Sequence, residues 1–198
     1  PEAKLWLAGA KNEILTAFDG RGKVQWTFKS EMAKEVLNYG PYWHKSSVPG
    51  VRSLFVRDGR IFAGSAATME VLDAKGKLLE RKFIRYGGID DQVWNPESGK
   101  IMMIRPSGGA GLLDMDPKTF AVRAQDHWGL GMRDNLHGYG FNQVAQYQVL
   151  FFKDSKGKIL AADLLGGAQN RFIIRSAKGA ALYEANFGPG RLGYNLMF

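Results

Sequence analysis

Four stretches of this chain follow one plan: a short apolar segment, a loop of small residues, a second apolar segment, a polar turn and a third apolar segment. They are residues 7–30 (LAGAKNEILTAFDGRGKVQWTFKS), 62–85 (FAGSAATMEVLDAKGKLLERKFIR), 102–128 (MMIRPSGGAGLLDMDPKTFAVRAQDHW) and 160–187 (LAADLLGGAQNRFIIRSAKGAALYEANF). Such a repeat constrains the fold strongly, because a unit too small to bury its own apolar face must stack on its neighbours. The polar turns are Asp19-Gly-Arg-Gly-Lys23, Asp73-Ala-Lys-Gly-Lys77, Asp114-Met-Asp-Pro-Lys118 and Ser176-Ala-Lys-Gly179. Glycine supplies the positive φ of a tight hairpin, and aspartate can cap its own turn through its side chain.

A further strand and turn precede three of the four copies. Residues 53–56 lead into Arg57-Asp-Gly-Arg60, residues 92–94 into Pro96-Glu-Ser-Gly-Lys100, and residues 149–152 into Lys153-Asp-Ser-Lys-Gly-Lys158. The unit therefore has four antiparallel strands, A to D, which predicts an all-β fold of β-propeller type with about four blades. The expected blades are 1–30, 51–85, 90–128 and 146–187 of a single domain. The first lacks strand A, and the apolar-rich tail 190–198 is where a closing strand would fall. Two arrangements are open: the tail closes a four-bladed ring, or the chain is part of a larger propeller. Self-association or a missing propeller half would protect edges otherwise prone to aggregation.

Composition fits many short strands joined by tight turns: 25 glycines, 12% aromatic residues and 45% hydrophobic residues in 198. No apolar run reaches the length of a membrane span, and no signal peptide is evident. Cysteine is absent, which excludes disulfides, thiol catalysis and zinc–thiolate sites and leaves the compartment open. The net charge of +8 favours acidic partners such as a uronate-bearing polysaccharide. The competing explanation is that lysines simply decorate solvated turns, where many of them stand. Nucleic-acid binding is not expected, because the basic residues form no stripe interleaved with aromatics.

The string Thr16-Ala-Phe-Asp-Gly-Arg-Gly-Lys-Val-Gln-Trp26 resembles the quinoprotein-type propeller repeat, with Ala-x-Asp, a glycine turn and a tryptophan closing strand D. Val71-Leu-Asp-Ala-Lys-Gly-Lys-Leu-Leu79 is similar but has Glu80 near the tryptophan position. Residues 152–163 also resemble the calcium loop of integrin-type propeller repeats, with Asp154 at the first ligand position. Lys156 takes the next position, and an ammonium group cannot coordinate a cation. Repeats of this kind occur in bacterial polysaccharide-degrading proteins. The resemblance implies a propeller in a periplasmic or secreted setting with a carbohydrate ligand. No quinone site is shown, and the chain is expected to need no cofactor.

Antiparallel alternation sends the B–C and D–A connections of a blade to one end and the A–B and C–D turns to the other. Two D–A connections are long, 31–50 and 129–145, and loops of that length are commonly functional. The first carries Tyr42, Trp43, His44 and Lys45; the second carries Arg133, Asp134, Asn135 and His137. A shorter link, Arg85-Tyr-Gly-Gly-Ile-Asp-Asp91, places Asp90 beside Asp91. The expected ligand-binding set is Tyr42, Trp43, His44, Arg85, Asp90, Asp91, Arg133, Asp134, Asn135 and His137.

Several chemistries compete for that end. In a binding module, Tyr42 and Trp43 would stack on sugar rings and Asn135 would bond hydroxyls. In a polysaccharide lyase, Arg133 would neutralise a uronate carboxylate while His137 or Tyr42 removed the adjacent acidic proton. Asp90, Asp91 or Asp134 would serve a glycoside hydrolase. His44, His137 and Asp134 lack the close spacing of a metal site. A protein-interaction scaffold is the third class, and a purely structural role for the aromatics is open as well. The binding module is the expectation carried forward, because the propeller fold alone is compatible with very many functions.

Overall fold

The computed structural model describes residues 5–9, 13–37, 50–65, 68–84, 89, 91–105, 111–124, 147–165 and 171–187. Its strands form four antiparallel sheets, each wound in chain order. The first has three strands: β1 (Trp6–Gly9), β2 (Ile14–Phe18) and β3 (Val24–Lys29). A one-turn helix, α1 (Lys34–Leu37), follows. The second sheet comprises β4 (Ser53–Arg57), β5 (Arg60–Gly64), β6 (Thr68–Asp73) and β7 (Leu78–Phe83). The third comprises β8 (Asp91–Asn95), β9 (Lys100–Arg105), β10 (Gly111–Met115) and β11 (Val122–Ala124). The fourth comprises β12 (Tyr147–Lys153), β13 (Ile159–Leu165), β14 (Arg171–Ser176) and β15 (Ala181–Asn186). The four-stranded unit of three sheets is as the repeat predicts, and among the described residues the first sheet has three strands. The chain divides into two compact units, Pro1–Asp91 and Gln92–Phe198.

The hairpins share a specific wiring. Asp19 accepts the amides of Arg21 at 2.8 Å and Lys23 at 3.0 Å through Oδ1. Asp73 does the same for Lys75 and Lys77, both at 2.9 Å. Asp154 does so for Lys156 at 2.9 Å and Lys158 at 2.8 Å. Each aspartate carbonyl also accepts the amide of a glycine three residues on. Those glycines, Gly22, Gly76 and Gly157, have φ of 79°, 81° and 77°, a region costly for residues with a Cβ. Asp154, which stands at the first position of the calcium-loop likeness, caps its turn in this way. Beyond the Asp19, Asp73 and Ser176 turns the next strand carries a bulge, placing Trp26 opposite Ala17, Glu80 opposite Val71 and Tyr183 opposite Ile174.

The third polar turn differs from its expected form. Asp114 is a buried residue of β10, and the cap is Asp116, which accepts the amides of Lys118 at 2.8 Å and Thr119 at 2.9 Å. The strand continues to Met115 because Leu113 and Met115 are buried, which moves the turn two residues downstream.

In the first compact unit the first and second sheets share a core. Leu15, Val51, Ile61, Ala63 and Leu72 are buried together, with Leu7, Trp26, Phe28, Leu54 and Leu78 packed against them. Full burial of each such aliphatic side chain contributes about 1.5–3 kcal/mol relative to exposure. Trp26 crosses between sheets: its indole N–H donates to the Ala74 carbonyl at 3.1 Å, and a Cβ on Gly76 would lie 2.6 Å from its ring. The contact explains why Trp26 belongs to blade packing.

The second compact unit buries Ile101, Met102, Met103 and Met115 of the third sheet, and Val149, Ala161, Ala162 and Ile173 of the fourth. Asp163 and Arg175 form a buried ion pair across β13 and β14. Arg175 also donates from Nη1 to the Gly179 carbonyl at 2.9 Å, so the pair locks the last polar turn to its strands.

Candidate functional site

The second sheet shows how connections between blades are held. Incoming chain after β3 is stitched on at the end where β5 gives way to β6. The Ala33 amide donates to Thr68 Oγ1 at 3.0 Å, and the Glu31 amide to Glu70 Oε1 at 3.1 Å. The same connection re-enters β4 through Arg52, whose amide donates to the Gly64 carbonyl at 2.8 Å. Outgoing chain after β7 returns to the same place. The Ile89 amide donates to the Ser65 carbonyl at 3.1 Å, and the Ile89 carbonyl accepts from Ser53 Oγ at 3.1 Å. Gly64 leaves room for this, since a Cβ there would stand 2.9 Å from Ile89.

A charged relay sits beneath these anchors. Glu70 is fully buried in β6, and its Oε1 accepts from Arg81 Nε at 2.8 Å. Arg81 Nη1 reaches Glu31 Oε2 at 3.2 Å. The guanidinium therefore joins a buried carboxylate of the second sheet to a surface carboxylate of the incoming connection. Pairing of this kind is what makes a buried charge tolerable. Sequence reasoning missed the relay, although Glu70 stands between Met69 and Val71 in an otherwise apolar strand. Asp163 is a parallel case: it lies at the end of the stretch that resembles a calcium loop and is the buried partner of Arg175.

Among the expected ligand-binding residues, Asp91 alone is described. It is the first residue of β8, half-buried, rather than part of the link before that strand. Tyr42, Trp43, His44, Arg85, Asp90, Arg133, Asp134, Asn135 and His137 lie outside the described residues, as does the tail 190–198. Among the described residues no three His, Cys, Asp or Glu side chains are grouped to hold a metal ion. No described helix is long and apolar enough to cross a membrane. Two carboxylates are held below their ordinary values. The Thr119 and Lys118 amides do this for Asp116, and a hydrogen bond from Arg171 does it for Glu184.

No protein-family model matches the chain, and no curated protein matches it. Solved structures do. BamB from Moraxella catarrhalis is 14% identical with a TM-score of 0.52, covering 93% of this chain and 46% of its own. The Cps50 (Swd1) β-propeller domain of Myceliophteria thermophila is 10% identical with a TM-score of 0.57, covering 96% and 54%. The fold is that of a β-propeller. A protein of unknown function from Bacteroides caccae is 12% identical with a TM-score of 0.50, covering 94% and 58%. The propeller chain thus spans about half the length of the solved structures it matches. At these identities the likeness is one of fold, and a propeller fold alone is compatible with very many functions.

Proposed function

We propose that this propeller is a binding module that recognises an acidic polysaccharide through the connections between its blades. The observation that carries the reading is the anchoring of both connections of the second sheet at one end, through Thr68, Gly64, Ser65 and Ser53. The segment bearing Tyr42, Trp43 and His44 runs between two of these anchors, and the segment bearing Arg85 and Asp90 adjoins the third. Residues 125–146, with Arg133 to His137, link β11 to β12 in the sequence. Aromatic rings offer stacking faces for sugars, cations meet uronate carboxylates, and the net charge of +8 draws a polyanion towards the protein.

The test is calorimetric titration of the 198-residue protein with polygalacturonate, alginate and neutral dextran, while watching for absorbance of a new uronate double bond. The reading expects binding to at least one polyanion, weakening as salt rises, lost in Trp43→Ala and absent with dextran. No binding to either polyanion overturns it. Appearance of the double bond would replace it with a lyase in which Arg133, His137 and Tyr42 are the residues to test.

A further inference from the structure

The contact between the first two sheets has two halves, and among the described residues each half recurs elsewhere with exposed side chains. On the covering side, Leu15 and Ala17 of β2 pair with Phe28 and Trp26 of β3, and this face lies against the second sheet. In the fourth sheet Phe172 and Ile174 pair with Ala185 and Tyr183 in the same register, with the same bulge after it. Leu15 and Ala17 are fully buried, whereas Phe172 and Ile174 are only half-buried. Tyr183, at the Trp26 position, is 59% exposed, and Phe187 on the same side is exposed too.

On the receiving side, the second sheet presents Ile61, Ala63 and Leu72 beside the Asp73 turn, all buried by the first sheet. The corresponding residues of the first sheet are Trp6, Ala8 and Phe18, since Trp6 pairs with Phe18 as Ile61 pairs with Leu72. Ile61 is 3% exposed, but Trp6 is 68% exposed. Gly22 is the counterpart of Gly76. Where Gly76 lies under the Trp26 ring, nothing among the described residues stands within 4 Å of a Cβ built on Gly22.

We propose that two copies of this chain associate front to back, with the Tyr183 ring of one copy over the Asp19–Lys23 turn of the other. The occupant follows from what the chain itself carries. It holds both an uncovered aromatic donor face and the matching bare turn, in the registers that produce the Trp26–Gly76 contact. An interface in which one patch meets a different patch closes when a second copy returns the contact.

Sedimentation equilibrium and light scattering of the 198-residue protein test this, read beside thermal unfolding. The proposal expects a mass twice the 22.0 kDa of one chain. It expects Tyr183→Glu and Trp6→Glu each to weaken association by about 30-fold or more, as loss of a central interface aromatic does. Both side chains are exposed, so both variants should unfold at nearly the wild-type temperature when dilute. The front-to-back form makes a further demand. Mixing the two variants leaves one intact contact, formed by Tyr183 of the Trp6→Glu copy on Trp6 and Gly22 of the Tyr183→Glu copy. Mixed pairs should therefore form where neither variant pairs alone. Wild-type protein at single-chain mass, a pair indifferent to both substitutions, or variants that fail to pair on mixing would each overturn the proposal.

Discussion

Trp26 donates its indole N–H to the carbonyl of Ala74 at 3.1 Å, tying strand D of the first sheet to the polar turn of the second. The ring stands where a side chain on Gly76 would have to go, with closest approaches of 2.6 and 2.7 Å. Gly76→Ala should therefore destabilise the first compact unit by about 2–5 kcal/mol, combining the left-handed backbone cost with overpacking against the indole. Gly157→Ala is the matched control. It has nearly the same φ and open space around it, so its cost should stay at about 1–2 kcal/mol. Denaturant unfolding of both variants measures the difference, and equal losses would show that the Trp26 contact contributes nothing.

Asp116 lends itself to a pH test. Amides of Thr119 and Lys118 donate to its carboxylate, holding its pKa below the ordinary 3.8. A carboxyl whose folded pKa is depressed stabilises the fold above its unfolded pKa and loses that stabilisation as pH falls through the folded value. Asp116→Ala should thus be less stable than wild type at neutral pH, with the two converging below the folded pKa. Carbon-detected NMR titration of the Asp116 carboxyl should give a midpoint under 3.8; a midpoint at or above it would remove the turn hydrogen bonds from the account.

The sheets were legible because turn chemistry is local. Aspartate and glycine at fixed spacing wire a hairpin whatever lies beyond it, and Asp19, Asp73 and Asp154 all do so. The reading slipped at Asp114, where two aspartates compete and the burial of Met115 selects Asp116 as the cap. Asp91 falls inside the expected third blade, 90–128, and opens β8. The pairs Glu70 with Arg81 and Asp163 with Arg175 have no local sequence signature. A buried ion pair between neighbouring strands depends on register and on what covers the sheet, and neither is written in a local pattern. Of the candidate site, topology supplies the strand ends that its connecting segments join, while all its proposed ligand-binding residues but Asp91 lie outside the described residues.

Thr68 should hold the incoming connection in place. Its hydroxyl accepts the Ala33 amide at 3.0 Å in a buried setting, so Thr68→Val keeps the shape and removes the acceptor. Leaving a buried donor without it should cost about 1–3 kcal/mol. Hydrogen exchange at the Ala33 amide should accelerate strongly, more than at strand amides of β6. Unchanged protection there would mean that the connection is held by other contacts.

Arg175 and Asp163 provide the sharpest energetic contrast. Both are buried, and Arg175 adds a bond to the Gly179 carbonyl. Arg175→Met removes the cation but leaves the carboxylate inside the fourth sheet, a change that should destabilise by about 3–5 kcal/mol. Asp163→Leu together with Arg175→Met removes both charges at similar volume and should recover most of that loss, since an apolar pair escapes the desolvation penalty. Urea unfolding of the single and double variants reads the outcome. If the double variant is as unstable as the single one, the arginine acts through the Gly179 turn rather than through the carboxylate. In that case Asp163→Leu alone should be nearly neutral.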